Sequence, residues 1–365
     1  MPDAPENVIP LTRQALAVLR HPEPSAWAVV LDIQLARPLD VTARLGELHR
    51  AAPIVGASLT ERGWEPGPLP HIQVVDGVPL ARPELLSGFD LHAEPPLRIS
   101  VGDGGSRVTL VGHHAAFDGL GLLAVATALV ADHGPAATET ASASVSGARG
   151  APAWARVAEV ARPADRVAPS VGDSSEVLAA RRLSIEGPAV TSRTAAACVA
   201  AVGAHNRAHG SRWRRVGLSV AVGGPPGIGN VASYRRVDLL VGDDVAAAVT
   251  RVLAGGREPV EFGRGPSIPR WAAPLTRRLS DSFLVSNLGR HDIGGVRGLA
   301  FYPVARGRSA VAFGLAGLAG GPSTITLRAL HLSAADADRL LDDVVRRLGG
   351  AAVTLTEAEG DGPRA

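Results

Sequence analysis

The stretch Val111-Gly112-His113-His114-Ala115-Ala116-Phe117-Asp118-Gly119 decides how this sequence reads. It lies between the apolar run Arg107-Val-Thr-Leu-Val111 and Leu120-Gly-Leu-Leu-Ala-Val-Ala-Thr-Ala-Leu-Val130, which is apolar on all sides. That order predicts a buried strand, a tight loop and a buried helix, so the loop's polar side chains are held by rigid flanks. Histidine is the common side chain able to accept and return a proton near neutral pH. Asp118 follows His114 by four residues, a spacing at which the loop can fold back. Its carboxylate would then fix the ring orientation or buttress the site through an arginine. Gly119 leaves room for a substrate or a backbone segment to approach. Two adjacent histidines lack useful metal-ligand spacing, so no metal site is predicted. The competing reading is a pair of satisfied core histidines. It is the weaker one, because His-His, three residues, Asp-Gly arises by chance in on the order of one in several hundred such chains.

Upstream, residues 26–35 read as a strand, and Asp40 caps a helix through Leu45 and Leu48 to Arg50 that Pro53 stops. Residues 54–61 read as another strand. Residues 97–101 and 107–112, joined by Asp103-Gly-Gly-Ser, read as a β-hairpin. Downstream, residues 134–175 turn rich in Ala, Ser, Thr, Gly and Pro, with a short helix candidate at 154–160, and read as a connection. A small-residue helix is predicted over 192–208, closed by Gly210, with strands at 216–222 and 234–241 and a helix over 245–253 capped by Asp243 or Asp244. Three late strands surround Ser282–Gly289, Ala310–Leu315 and Thr324–Leu332. The last helix spans 334–348, with Ser333 as cap, Leu340, Leu341, Val344, Val345 and Leu348 as its core stripe, and Gly349 as its stop. Strands and helices alternate without a fixed repeat, so the fold class is α+β or mixed α/β.

The 365 residues are 46% hydrophobic, enough for two modest lobes or one large domain. Arginine supplies every basic charge, since the sequence contains no lysine, and 37 basic against 35 acidic residues leave +2 at pH 7. The pI near 9.3 reflects that small arginine surplus and makes no case for nucleic-acid binding. Cys198 is the sole cysteine, which excludes an internal disulfide framework. Within Ala195-Ala-Ala-Cys198-Val-Ala-Ala it reads as a buried, inert thiol. The first residues lack the basic-then-apolar order of a signal peptide, and no apolar run approaches the ~18 residues of a membrane span. A cytoplasmic protein is expected.

The segment His113-His-Ala-Ala-Phe-Asp-Gly119 resembles the HHxxxDG signature shared by chloramphenicol acetyltransferases, condensation domains of nonribosomal peptide synthetases and related polyketide- and lipid-esterifying enzymes. Pro38-Leu-Asp40 with its helix resembles the family's first helix, and Pro96-Leu-Arg-Ile99 the strand before the motif. Gly229-Asn230 resembles its Gly-Asn turn, and Ser286-Asn287-Leu-Gly289 its Ser-Asn-x-Gly segment. The resemblance implies two chloramphenicol-acetyltransferase-like lobes forming a V with an active-site tunnel between them. The N-terminal lobe would span 1–150, the connection 151–180 and the C-terminal lobe 181–365.

It further implies that His114 is a general base, with His113 beside it and Asp118 as a structural partner of an arginine. Gly119, Ser286 and Asn287 would contact substrate. Many relatives carry an arginine on the strand before the Gly-Asn turn, where this chain has Val220-Ala-Val-Gly-Gly. Arg98, Arg235 and Arg290 are therefore the candidate partners of Asp118. The implied reaction moves an acyl group from a coenzyme A or carrier-protein phosphopantetheine thioester to an amine or alcohol, in bacterial specialised metabolism. It needs no permanently bound cofactor and no metal, and two lobes in one chain imply a monomer. The arginine pairs at 181–182, 214–215, 235–236 and 277–278 are candidate contacts for coenzyme A phosphates or an acidic carrier protein. The alternatives are a catalytically idle module that binds a carrier protein, and a same-fold enzyme that cyclises, dehydrates or epimerises a tethered intermediate.

Overall fold

A computed structural model describes residues 8–21, 23–130, 162–172, 175–224, 227–255, 281–306, 309–349 and 353–354. The helix candidate at 154–160 and the arginines at 277–278 lie outside them. The chain divides into two compact units. One takes the described residues of Met1–Ser144, Gly223–Ala232 and His291–Leu299; the other takes those of Val145–Val222, Ser233–Arg290 and Ala300–Ala365.

The first unit contains α1 (Arg13–Leu19), β1 (Ala28–Leu35), α2 (Val41–Ala51), β2 (Ser58–Thr60), β3 (Gly63–Glu65), β4 (Ile72–Val74), β5 (Leu97–Gly102), β6 (Arg107–His113) and α3 (Gly119–Val130). Every residue of β1 and β6 is buried, as strands covered on both faces require. They pair antiparallel with Ala28 opposite His113 and Gln34 opposite Arg107. The predicted hairpin is present as β5 and β6, with Leu97 opposite Gly112. Asp40 caps α2 through the Thr42 amide, as expected. Leu45 and Leu48 bury the inner side of α2, which packs on α3, and α3 packs on β1 and β6. The few polar groups on β1 are matched rather than stray: Asp32 accepts from the Arg107 guanidinium at 2.7 Å and from the Thr109 hydroxyl at 2.6 Å. Removing one partner of such a buried pair costs about 3–5 kcal/mol.

One strand prediction is corrected. Residues 54–61 do not form a single strand: Pro53–Gly56 make a 3-10 turn, and only Ser58–Thr60 extend. Pro53 fixes a helical φ, and Gly56 touches the Pro68 carbonyl so closely that a side chain there would collide with it. Ile54 and Val55 are buried by packing, without a ladder.

The chain continues through β7 (Glu176–Leu183), α4 (Val190–Ala208), β8 (Arg215–Val222), β9 (Ser233–Leu240), α5 (Val245–Ala254), β10 (Phe283–His291), β11 (Val296–Tyr302), β12 (Val311–Leu318), β13 (Ser323–Leu330), α6 (Ala334–Arg347) and β14 (Val353–Thr354). Strand order is β14-β7-β13-β12-β10-β8-β9 in the larger sheet and β11-β1-β6-β5-β4 in the smaller. The smaller sheet thus gains an edge strand from the second half of the sequence.

In the second unit α4 and α6 pack on each other, and α6 lies on β7 and β13. Of the predicted stripe, Leu340, Leu341, Val344 and Val345 are buried with Ala195, Cys198 and Val202 of α4, and Leu348, at the helix's end, is partly buried against them. Each fully buried Leu or Val contributes about 1.5–3 kcal/mol. Ser333 caps α6 through the Asp336 amide, and Asp244 rather than Asp243 caps α5. Burial raises the Cys198 thiol well above its ordinary range and keeps it unreactive. The architecture is mixed α/β, as the alternation of patterns predicts.

Candidate active site

Strand β6 ends at His113, and α3 begins at Gly119, so the five residues between them turn a buried strand into a buried helix. The turn is anchored at both histidines. The His113 amide donates to Pro96 O at 2.7 Å and the His114 amide to Trp27 O at 2.6 Å, while Ala116 and Phe117 donate back to His113 O.

His113 is fully buried and has both ring nitrogens on backbone partners. Nε2 lies 2.9 Å from the Pro24 carbonyl, to which it must donate, and Nδ1 accepts from the Ala115 amide at 3.2 Å. The Phe89 ring meets it edge-on. Burial, only partly offset by the Pro24 carbonyl, lowers its pKa to about 4. Neutral and doubly engaged, its ring braces the turn.

His114 is arranged differently. Its Nδ1 lies 3.0 Å from the Phe117 carbonyl and must donate to it, so the neutral ring carries its lone pair on Nε2. The Trp27 ring stacks over it with 10° between planes. Burial lowers its pKa below 6.5, while the Phe117 carbonyl and the charge of Asp118 act in the opposite direction. A buried, neutral imidazole with a fixed tautomer is a proton acceptor at physiological pH.

Asp118 staples this turn to a distant segment. Its Oδ1 accepts from the Gly121 amide at 2.7 Å, capping α3. Its Oδ2 accepts from the amides of Val231 and Ala232 at 2.8 and 2.7 Å, and its own amide donates to Gly229 O at 3.0 Å. Asn230 completes the staple, its side-chain amide donating to the His114 carbonyl. The expectation of an arginine partner is therefore corrected: among the described residues Asp118 is satisfied by backbone amides. Arg98 instead bonds Glu94 at 2.7 Å, and Arg290 donates to the Ile185 and Gly321 carbonyls. A charged acceptor gains about 1.5–3 kcal/mol per hydrogen bond, so the three amides replace a guanidinium without a second buried charge.

Gly119 starts α3 and is buried, and two residues further on the Gly229 backbone comes close to Gly121. A Cβ there would collide with the Gly229 carbonyl. The structure thus brings His113, His114, Asp118 and Gly119 together. Ser286 and Asn287 stand on β10 of the second unit, where Asn287 donates to the Thr191 hydroxyl at 2.9 Å and accepts from Gly289 at 2.8 Å. Of the candidate phosphate-binding arginines, Arg181 bridges Asp338 and Asp342, and Arg236 bonds Asp238 and Asp281. Sequence reasoning picked out Gly229-Asn230 as a turn but not its bonds to the motif. It gave no signal at all for Trp27 or Gly121.

No protein-family model matches the chain, and no curated protein sequence does. Solved structures define the fold: it is that of nonribosomal peptide synthetase condensation and epimerization domains. The first condensation domain of the calcium-dependent antibiotic synthetase, solved with a substrate analogue, is similar over 96% of this chain and all of its own, with TM-score 0.62 and 16% identity. The epimerization domain from the third module of tyrocidine synthetase B gives 0.59 at 12% identity, covering 95% of this chain and 97% of its own. A mutant starter condensation domain of rhizomide synthetase, in complex with C8-CoA, gives 0.59 at 14%, covering 95% and 96%.

Proposed function

We propose that the protein is an acyltransferase or condensation enzyme that forms an amide or ester from a thioester donor and an amine or alcohol acceptor. The observation that carries this reading is the fixed tautomer of His114 in a buried, stapled turn. In the proposed reaction, Nε2 takes the proton from the acceptor's O–H or N–H as that atom bonds to the thioester carbonyl. The tetrahedral intermediate then expels the thiolate, which recovers the proton from the imidazolium. Proton transfer of this kind supplies about 10²- to 10⁴-fold, and positioning of the two substrates supplies much of the rest. His113 and Asp118 hold the base, and Gly119 with Ser286 and Asn287 contact substrate.

The C8-CoA complex of the rhizomide domain supports coenzyme A as a donor handle, and the synthetase setting of the other neighbours supports a carrier protein. In this reading the 1–150 lobe carries the base, 151–180 connects, 181–365 forms the second lobe, and the enzyme acts as a cytoplasmic monomer without a resident cofactor. No described helix is long and apolar enough to cross a membrane. The absent strand arginine does not favour an idle module, because backbone amides already satisfy Asp118.

The test is thiol release from a panel of acyl-CoA and acyl-phosphopantetheine thioesters with mixed amine and alcohol acceptors, followed by product mass. Acceptor-dependent release that drops at least about a hundredfold in His114→Ala is expected. Equal rates in a folded variant would remove His114 from the chemistry. Thiol release with a product that lacks acceptor mass would favour cyclisation, and silence with every donor would favour an idle module or a dehydration or epimerisation, which leave the thioester intact.

A further inference from the structure

Far along the sequence from the motif, the C-terminal end of α4 carries His205 and His209, one helical turn apart, and the first turn of α6 carries Asp336. A ring nitrogen of each histidine and a carboxylate oxygen of Asp336 lie within 4.8 Å of one another. We propose that His205, His209 and Asp336 bind one divalent transition-metal ion of the zinc class, bracing the end of α4 against the start of α6.

The hydrogen bonds around the cluster fit that role. His205 Nε2 lies 2.9 Å from the Ala168 carbonyl and His209 Nδ1 2.9 Å from the His205 carbonyl, so each ring donates one N–H to the backbone and keeps its lone pair on the other nitrogen. Metal-binding histidines are oriented by such a second hydrogen bond. His209 Nε2 already stands 3.8 Å from Asp336 Oδ1. Bonds of about 2.0–2.1 Å to a tetrahedral ion would draw the ligand atoms to roughly 3.3 Å, a small movement for an exposed ring and a carboxylate. On its other oxygen Asp336 accepts from the Ser333 hydroxyl at 2.7 Å, which holds the carboxylate in place.

The groups facing the cluster also leave it in the right charge state. Burial lowers His205, with the nearby His209 and Arg339 adding to that and the Ala168 carbonyl and Asp336 opposing it. Burial works against ionising Asp336, but hydrogen bonds from Ser333, Ser170 and Arg339 outweigh it and hold its carboxyl well below the usual range. Arg339, which bonds Asp336 Oδ1 at 2.6 Å, is 70% exposed and can turn into water when an ion takes its place. Two imidazoles and one carboxylate suit zinc, cobalt or nickel; magnesium and calcium take oxygen ligands. Three protein ligands leave room for water on the ion.

The test uses tag-free, chelator-treated full-length protein. Calorimetric titration with Zn²⁺ should show one equivalent bound, and a 100-fold excess over Kd should raise Tm by about 3 °C or more. Losing an outer partner of a ligand already costs 10- to 100-fold in metal affinity, so His209→Gln should weaken binding by at least about tenfold. Its metal-free Tm should stay close to wild type, because the ring is partly exposed. Mg²⁺ should leave Tm unchanged. Titration with Co²⁺ needs no variant: visible bands of a nitrogen-ligated ion are expected, and a spectrum like that of the aqueous ion would overturn the proposal. So would zinc binding that is equally tight in His209→Gln and His205→Gln, which would put the ion on other histidines.

Discussion

The carboxylate of Asp118 accepts the amide hydrogens of Val231 and Ala232, 113 and 114 residues further along the chain, at 2.8 and 2.7 Å. With Gly121 it satisfies three backbone N–H groups at once. Asp118→Asn would turn a donor toward amides that are themselves donors. The expected result is a loss of about 2–4 kcal/mol in urea unfolding, with a drop in acyl transfer, if His114 is the base, as large as that of Asp118→Ala.

Asn230 should separate positioning from folding. It sits on the His114 carbonyl and not on the ring, so Asn230→Ala should keep the fold. Loosening the turn should lower kcat by about 10- to 100-fold with little change in KM. Unchanged kcat would show that the turn holds His114 without this bond.

Two helical glycines should respond oppositely to the same substitution. At Gly121 a methyl group would strike the Gly229 carbonyl. Gly121→Ala should therefore destabilise by about 1–3 kcal/mol or more, as overpacking does, and disrupt the motif turn. At Gly46 of α2 the added methyl meets only the tip of Arg50, 3.9 Å away. Gly46→Ala should stabilise by about 0.5–1 kcal/mol through helix propensity and a less flexible unfolded chain. Paired thermal melts decide both.

The lowered histidines set two pH dependences. His113 titrates at about 4 when folded and 6.5 when exposed. Between those values the unfolded chain binds a proton that the folded one does not, so stability is full above pH 6.5 and falls as pH drops toward 4. At pH 4.5 this one residue should cost about 2.5 kcal/mol. Urea midpoints of His113→Gln should show a shallower acid slope. If His114 is the base, the acid limb of kcat/KM should lie below pH 6.5, because its burial favours the neutral ring. A limb at or above 6.5 would contradict that environment.

Most of the elements were legible because their signals are local. Asp40, Asp244 and Ser333 announce helix starts by what their side chains can accept, and the Asp103-Gly-Gly-Ser turn between 97–101 and 107–112 announces a hairpin. Residues 54–61 misled because a short apolar run after a proline buries equally well as a turn. Phosphate contacts were unreadable for the same kind of reason: arginine pairs look alike in sequence whether they face water or, as Arg181 and Arg236 do, bond acidic neighbours.

The sequence by itself determined the strand-turn-helix that carries His113, His114 and Asp118, since each step depends on residues a few positions apart. Only the tertiary structure decided what Asp118 holds. Its partners are backbone amides of Val231 and Ala232, and every residue carries such an amide, so no side chain marks them. It likewise decided that Gly121 must lack a side chain, because only packing brings the Gly229 carbonyl against it. Contacts made by backbone atoms between distant segments leave no residue-type signature. They are fixed by packing alone.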